Sequence, residues 1–187
     1  TDIKWIEENI KNGNMYNIRH FWSSIRPNGP QRPHVLDRLE LRICDYISDI
    51  ELLLAITALL ELRVIYLFEN LKTLDPLNTS KFSMDQLTKI CDQNEINAAQ
   101  NSLDAELTHW RDGKKMICRE WIKNVLADLS LTAKKLNMDH LLKPIYKVLE
   151  EGNQSMKWIK QYKEGFSIED IMKYTAQNMI QSEEESI

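Results

Sequence analysis

The sequence predicts an α+β chain in which an antiparallel β-hairpin, over about residues 15–26 and 36–45, is followed by a helical bundle. Three observations carry this. Two short stretches alternate as strands do: Met15 to Arg26 holds the β-favouring Tyr16, Ile18, Phe21, Trp22 and Ile25, and Leu39, Leu41 and Ile43 alternate with Arg38, Glu40, Arg42 and Cys44. Between them, Pro27-Asn28-Gly29-Pro30-Gln31-Arg32-Pro33 holds three of the five prolines and one of the five glycines, so it is expected to be a loop rather than a regular element. Beyond Ser48 the apolar spacing is helical throughout.

The elements follow in order. Ile3, Ile6 and Ile10 mark a short helix over residues 2–12, stopped by Gly13. Ser48-Asp49-Ile50-Glu51 reads as a capping box opening a helix that runs to about Leu71. A loop is expected from Thr73 to Lys81. A second box, Ser83-Met84-Asp85-Gln86, opens a long helix to about Trp110, stopped by Asp112-Gly113. Further helices are expected over roughly 116–137, 141–151, 154–164 and 168–182, with Gly152 and Gly165 as stops, Ser167 as a cap and Pro144 starting or kinking the shorter one. The acidic tail, 183–187, should fray. The domain reading is residues 1–47 as a helix plus site-bearing strands, 48–182 as the helical region, and the tail.

Composition narrows the class. The 187 residues are 43% hydrophobic and 28% charged, which is ordinary for a globular chain. A net charge of −4 lacks the basic excess of a nucleic-acid surface, so no nucleic-acid partner is expected. The most apolar run, Leu52 to Phe68, is interrupted by Glu61 and Arg63, so no membrane span is expected. Three widely spaced cysteines, Cys44, Cys91 and Cys118, form neither a disulfide framework nor a zinc pattern and suit a reducing cytoplasm. The start at Thr1 carries no signal-peptide pattern. Two strands alone are marginal in water, so the sheet is expected to be completed by a segment upstream of Thr1.

Glu40 and Arg42 stand two residues apart on the second strand and share one face, with Arg38 beyond them. A carboxylate there can offer hard oxygen to Mg²⁺, and a guanidinium can clamp a phosphoryl or carboxylate group through two parallel hydrogen bonds. The alternative is an ordinary solvated ion pair worth about 0 to 1 kcal/mol. His20, His34, His109 and His140 lack metal-like spacing; Cys44, beside Glu40 and Arg42, is either a reactive thiol or, more often for a strand Cys, a small packed side chain; Trp110, Trp121 and Trp158 lie at apolar helix positions and read as core or subunit contacts.

Phe21-Trp22-Ser23-Ser24-Ile25-Arg26-Pro27 followed by Leu39-Glu40-Leu41-Arg42-Ile43-Cys44-Asp45 resembles the paired W-x-x-x-R-P and E-x-R-x-C-D motifs of the glutamate–cysteine ligase type 2 family. Asn94 to Ala105 resembles that family's Asn-rich helix ending in a Leu-acid-Ala step, and Arg32-Pro33, Leu36 to Leu39 and Gly152-Asn153 look closest to its cyanobacterial branch. The resemblance implies the C-terminal part of a glutamine-synthetase-like fold, with the site on the concave face of a curved antiparallel sheet. It implies ATP and Mg²⁺, with Glu40 as a metal ligand, Arg42 on the transferred phosphate, Arg38 beside it as a nucleotide contact and Arg26 on a substrate carboxylate. The implied reaction joins glutamate and cysteine into γ-glutamylcysteine through a γ-glutamyl phosphate, the first step of glutathione synthesis. The implied partners are those substrates and the N-terminal half of the same domain, and a homo-oligomer is compatible. Two departures stand out: Gln100 where much of the family has Arg, and Ile96 where it has an aromatic residue. The family's early acidic strand is absent, and there is no Walker-type loop. A related ligase with another amine substrate, or a non-catalytic helical interaction module, are the competing readings.

Overall fold

The computed structural model describes residues 2–13, 25–28, 38–41 and 46–185, with side chains described at 7–13 and 46–181. It divides into two compact units, Thr1–Tyr46 and Ile47–Ile187.

In the first unit, α1 spans Asp2–Lys11 and ends at Gly13, whose φ of 75° is the left-handed conformation that a side chain disfavours. Strands β1 (Ile25–Asn28) and β2 (Arg38–Leu41) pair antiparallel, in a register that sets Arg26 opposite Glu40 and Asn28 opposite Arg38. Pro27 and Asn28, expected in the loop, belong to β1. In a two-stranded ladder each strand has a free edge, so a proline whose missing N–H would face away from the partner removes no ladder bond. The remaining positions of both predicted strands, 15–24, 36–37 and 42–45, lie outside the described residues.

The second unit begins with α2 (Ile50–Glu69). Its N-cap is Asp49, which accepts from the Leu52 N–H at 3.0 Å, not the expected Ser48. Ser48 instead donates to the Gln154 side chain at 3.3 Å, and the stronger carboxylate acceptor takes the helix end. Where the loop from Thr73 to Lys81 was expected, α3 (Leu71–Leu74) runs into it and α4 (Pro76–Thr79) lies within it, each a single turn. Asp75 caps α4 by accepting from Leu77 N–H at 2.9 Å, and Pro76 occupies the first turn, where its missing N–H costs nothing.

Helix α5 (Met84–Asn101) opens on the predicted Ser83/Gln86 capping box. It stops well short of Trp110. Ser102, at φ 53°, turns the chain through a short 3-10 segment, Ser102–Asp104, into a second hairpin of β3 (Glu106–Thr108) and β4 (Lys115–Ile117). Helix α6 (Cys118–Lys135), a 3-10 turn at Asp139–Leu142, α7 (Lys143–Glu151), α8 (Gln154–Lys163) and α9 (Ile168–Glu185) complete the unit. Pro144 sits in the first turn of α7, and Ser167 caps α9 by accepting from Asp170 N–H at 3.1 Å. Helix α9 carries Glu183 to Glu185, which were expected to fray.

The core forms where α2 meets α6 and α7. Leu62, Leu126 and Leu129 are fully buried, with Ile145 and Leu149 beside them; each such side chain contributes about 1.5 to 3 kcal/mol by leaving water. Ala55, Ala58 and Ala133 keep the buried helix surfaces small, so the backbones can approach closely. No helix among the described residues is long and apolar enough to cross a membrane.

Candidate functional site

The first hairpin holds three of the four candidate residues. Directly opposed positions of an antiparallel pair share a face, as do positions two apart on one strand, so positions 26, 38 and 40 belong to one face of the ladder. Arg42, two positions beyond Glu40, lies outside the described residues, as do Cys44, His20 and His34. Two arginines and a glutamate at these positions are residue types suited to phosphate or carboxylate and to a divalent cation. Among the described residues no group of three or more His, Cys, Asp or Glu could hold a metal ion.

The Asn-rich segment has a different role. Asn94 donates to the Thr108 carbonyl at 2.9 Å and accepts the Thr108 N–H at 2.7 Å, pairing with β3 as another strand would. Asn97 donates to the Glu106 carbonyl at 3.0 Å and accepts from Gln93 at 2.9 Å. Asp104 accepts from Arg119 at 3.0 Å, and Arg119 also donates to the Leu149 carbonyl, tying α6 to the end of α7. Asn153 donates to the Ser102 hydroxyl at 2.6 Å while its Oδ1 caps α8 by accepting Met156 N–H at 3.0 Å. With Leu103 and Ala105 buried and the Cys118 N–H bonded to the Ala105 carbonyl at 2.8 Å, these residues form a latch joining α5, β3, α6 and α8. Their amides are engaged by backbone and neighbours, which makes them architecture. Sequence reasoning missed Arg119 and the joining role of Asn153; the three-residue spacing of Asn94 and Asn97 was the available signal, since it puts both amides on one helix face.

The other conspicuous side chains are also engaged. His109 stacks on Trp110 at 5.4 Å between centroids and tilts against Trp121 at 5.1 Å, and Trp158 donates to Thr175 at 2.9 Å. Burial pushes the Cys118 thiol up, against the opposing pull of Arg119. Partial burial, then Glu95 and Asp92, push the Cys91 thiol up as well, so neither is poised as a thiolate at neutral pH. The Lys114 backbone N–H, donating at 3.1 Å, is the main cause holding the exposed Asp112 carboxyl below its ordinary value. Cavities open on the second unit, two of them lined by described residues. One, of about 360 Å³, has a largely polar lining that includes Ser48, Gln154, Lys157 and Thr175; the other, of about 150 Å³, lies beneath the β3–β4 turn.

The chain matches the Glutamate-cysteine ligase family 2 over residues 3–184. Two similar relatives come from Legionella pneumophila: "Putative glutamate--cysteine ligase 2-2" of strain Corby and "Putative glutamate--cysteine ligase 2-1" of strain Lens. Each is 24% identical over 170 residues, which is 91% of this chain and 42% of the relative. The chain therefore spans about two fifths of the length of the curated relatives it matches.

Proposed function

Since the chain belongs to the Glutamate-cysteine ligase family 2, we propose that it is the C-terminal part of the catalytic domain of an ATP-dependent ligase joining glutamate to cysteine in a reducing cytoplasm. The observation that carries this reading is the family match across residues 3–184, which includes the hairpin that sets Arg26 opposite Glu40. The donor set fits Mg–ATP: a carboxylate at position 40 as the hard-oxygen ligand, and guanidiniums at 38 and 42 for phosphate. Bound Mg²⁺ would neutralise charge on the phosphates.

In this reading the γ-carboxylate of glutamate attacks the γ-phosphorus of ATP, and ADP leaves. Arg42 holds the transferred phosphoryl group and Arg26 the substrate carboxylate, which fixes both in reacting geometry. The amine of cysteine then attacks the acyl carbon, phosphate leaves, and the amine proton passes to solvent. A glutamine-synthetase-like sheet completed by the remainder of the domain would place this face in a cleft, and γ-glutamylcysteine would enter glutathione synthesis.

The test is to supply the full-length protein with ATP, Mg²⁺, glutamate and a series of amines, and to follow ADP release and γ-glutamyl product by mass spectrometry. γ-Glutamylcysteine formed only with all components is the expected result. Product with another amine but not with cysteine would reassign the acceptor, and no glutamate-dependent ADP release with any amine would sink the ligase reading.

A further inference from the structure

The cavity of about 150 Å³ beneath the β3–β4 turn is built from five parts of the chain: α2 supplies Arg63, α3 supplies Leu74, the turn supplies Arg111, β4 supplies Met116, and α6 supplies Trp121 and Asp128. Its charges are distributed unequally. Arg63 and Arg111 belong to its lining, and Asp128 is the one carboxylate there. Among the described residues neither Arg63 nor Asp128 forms an ion pair; Arg63 lies over the Tyr66 ring at 5.7 Å, and Arg111 is anchored by a 2.7 Å bond to the Thr73 carbonyl and by its 4.9 Å stack on Trp110. The remaining wall is apolar at Leu74, Met116 and Trp121 and polar at Asn124, which donates to the Met116 sulfur at 3.4 Å, and His109 is committed to its ring contacts and to the Arg111 N–H at 3.3 Å.

Size selects among ligands. Drug-sized and nucleotide ligands fill sites of roughly 300 Å³ or more, so this smaller cavity suits a smaller molecule. At about 30 Å³ per water, the cavity holds the volume of about five waters, which suits a molecule of few heavy atoms. A simple anion would satisfy the guanidiniums and leave Asp128 and the apolar wall unused. We propose that this cavity binds a small free α-amino acid with a short apolar side chain, its carboxylate on Arg63 and Arg111, its ammonium on Asp128 and its side chain against Leu74, Met116 and Trp121. The bidentate geometry of guanidinium suits a carboxylate, and an aliphatic side chain gains by leaving water. This site is distinct from the hairpin residues and does not depend on the ligase reading.

Isothermal titration of the full-length protein with L-valine, without ATP or Mg²⁺, tests it, with acetate and propylamine as the anion-only and cation-only comparisons. Saturable valine binding, with acetate and propylamine each much weaker, is expected. Asp128→Asn, at an exposed position, should weaken valine at least about tenfold, as should Arg63→Gln, because each removes a charge-assisted hydrogen bond. Circular dichroism melts establish that both variants are folded. Absence of saturable binding, acetate binding as tightly as valine, or valine affinity unchanged by Asp128→Asn would each overturn the proposal; the last would place any bound valine elsewhere in the protein.

Discussion

At Asn94 a side-chain amide stands where a third strand could pair: it offers one donor and one acceptor to Thr108, the complement a neighbouring backbone would offer. Asn94→Ala should therefore cost about 1 to 3 kcal/mol, since it leaves a part-buried N–H and carbonyl to find new partners. Urea unfolding would read this loss, and a midpoint equal to that of the parent would mean that water replaces the amide fully. The hairpin residues call for a different measurement, because their expected effect is on chemistry. In the full-length protein Arg42→Lys should leave the fold intact yet lower turnover about a hundredfold, as Lys keeps the charge but loses the planar fork. Glu40→Gln should shift the Mg²⁺ dependence to higher concentration, because an amide lacks the negative charge a hard cation prefers. Activity within twofold for the first, or an unchanged metal titration for the second, would return these residues to ordinary ion pairing.

Elements explain what the sequence made legible and what it hid. Helices α5 to α9 could be read because local signals, such as the Ser83 box and the Ser167 cap, coincide with apolar spacing. The second hairpin was hidden because its strands are only three residues each, too short to show alternation, and because Asn94 and Asn97 stabilise β3 from outside the sheet. The candidate site was drawn from the Arg/Glu alternation around Glu40 together with the paired motifs around Arg26 and Arg42; the cavity beneath the β3–β4 turn was not legible, since its walls come from residues as far apart as Arg63 and Asp128. Gly113 is a measurable control on this turn. Its φ is +75°, and an added Cβ would lie 2.8 Å from Cζ of Phe82, whereas at Gly165, with φ +98°, nothing comes within 4 Å. Both alanine variants should lose about 1 to 2 kcal/mol from the backbone conformation alone. Gly113→Ala should lose more, because the Phe82 ring must also move. Equal denaturation midpoints for the two would show that the ring yields without cost.

The whole molecule combines a helical unit with its own buried core and a hairpin of two four-residue strands. Core burial at Leu62, Leu126 and Leu129 supports the helices by tertiary packing, which supplies most helical stability in proteins. Among the described residues the hairpin has no comparable support within its own ladder, because two strands alone are marginal in water and each pairs only with the other. In the proposed reaction Glu40 and its arginines must be held in reacting geometry, and the relatives that share this segment are more than twice as long. Residues 1–187 expressed alone should therefore show a strongly helical circular dichroism spectrum, self-associate through open strand edges in sedimentation, and form no γ-glutamyl product. Adding the separately expressed remainder of the full-length protein should restore product, with the yield saturating as the two pieces reach equal amounts. If residues 1–187 alone turn over ATP with glutamate and cysteine, the hairpin is sufficient by itself and the argument from an incomplete sheet fails. If mixing restores a stable complex without activity, the remainder completes the fold but the assignment of Glu40 and Arg42 to the reaction is wrong.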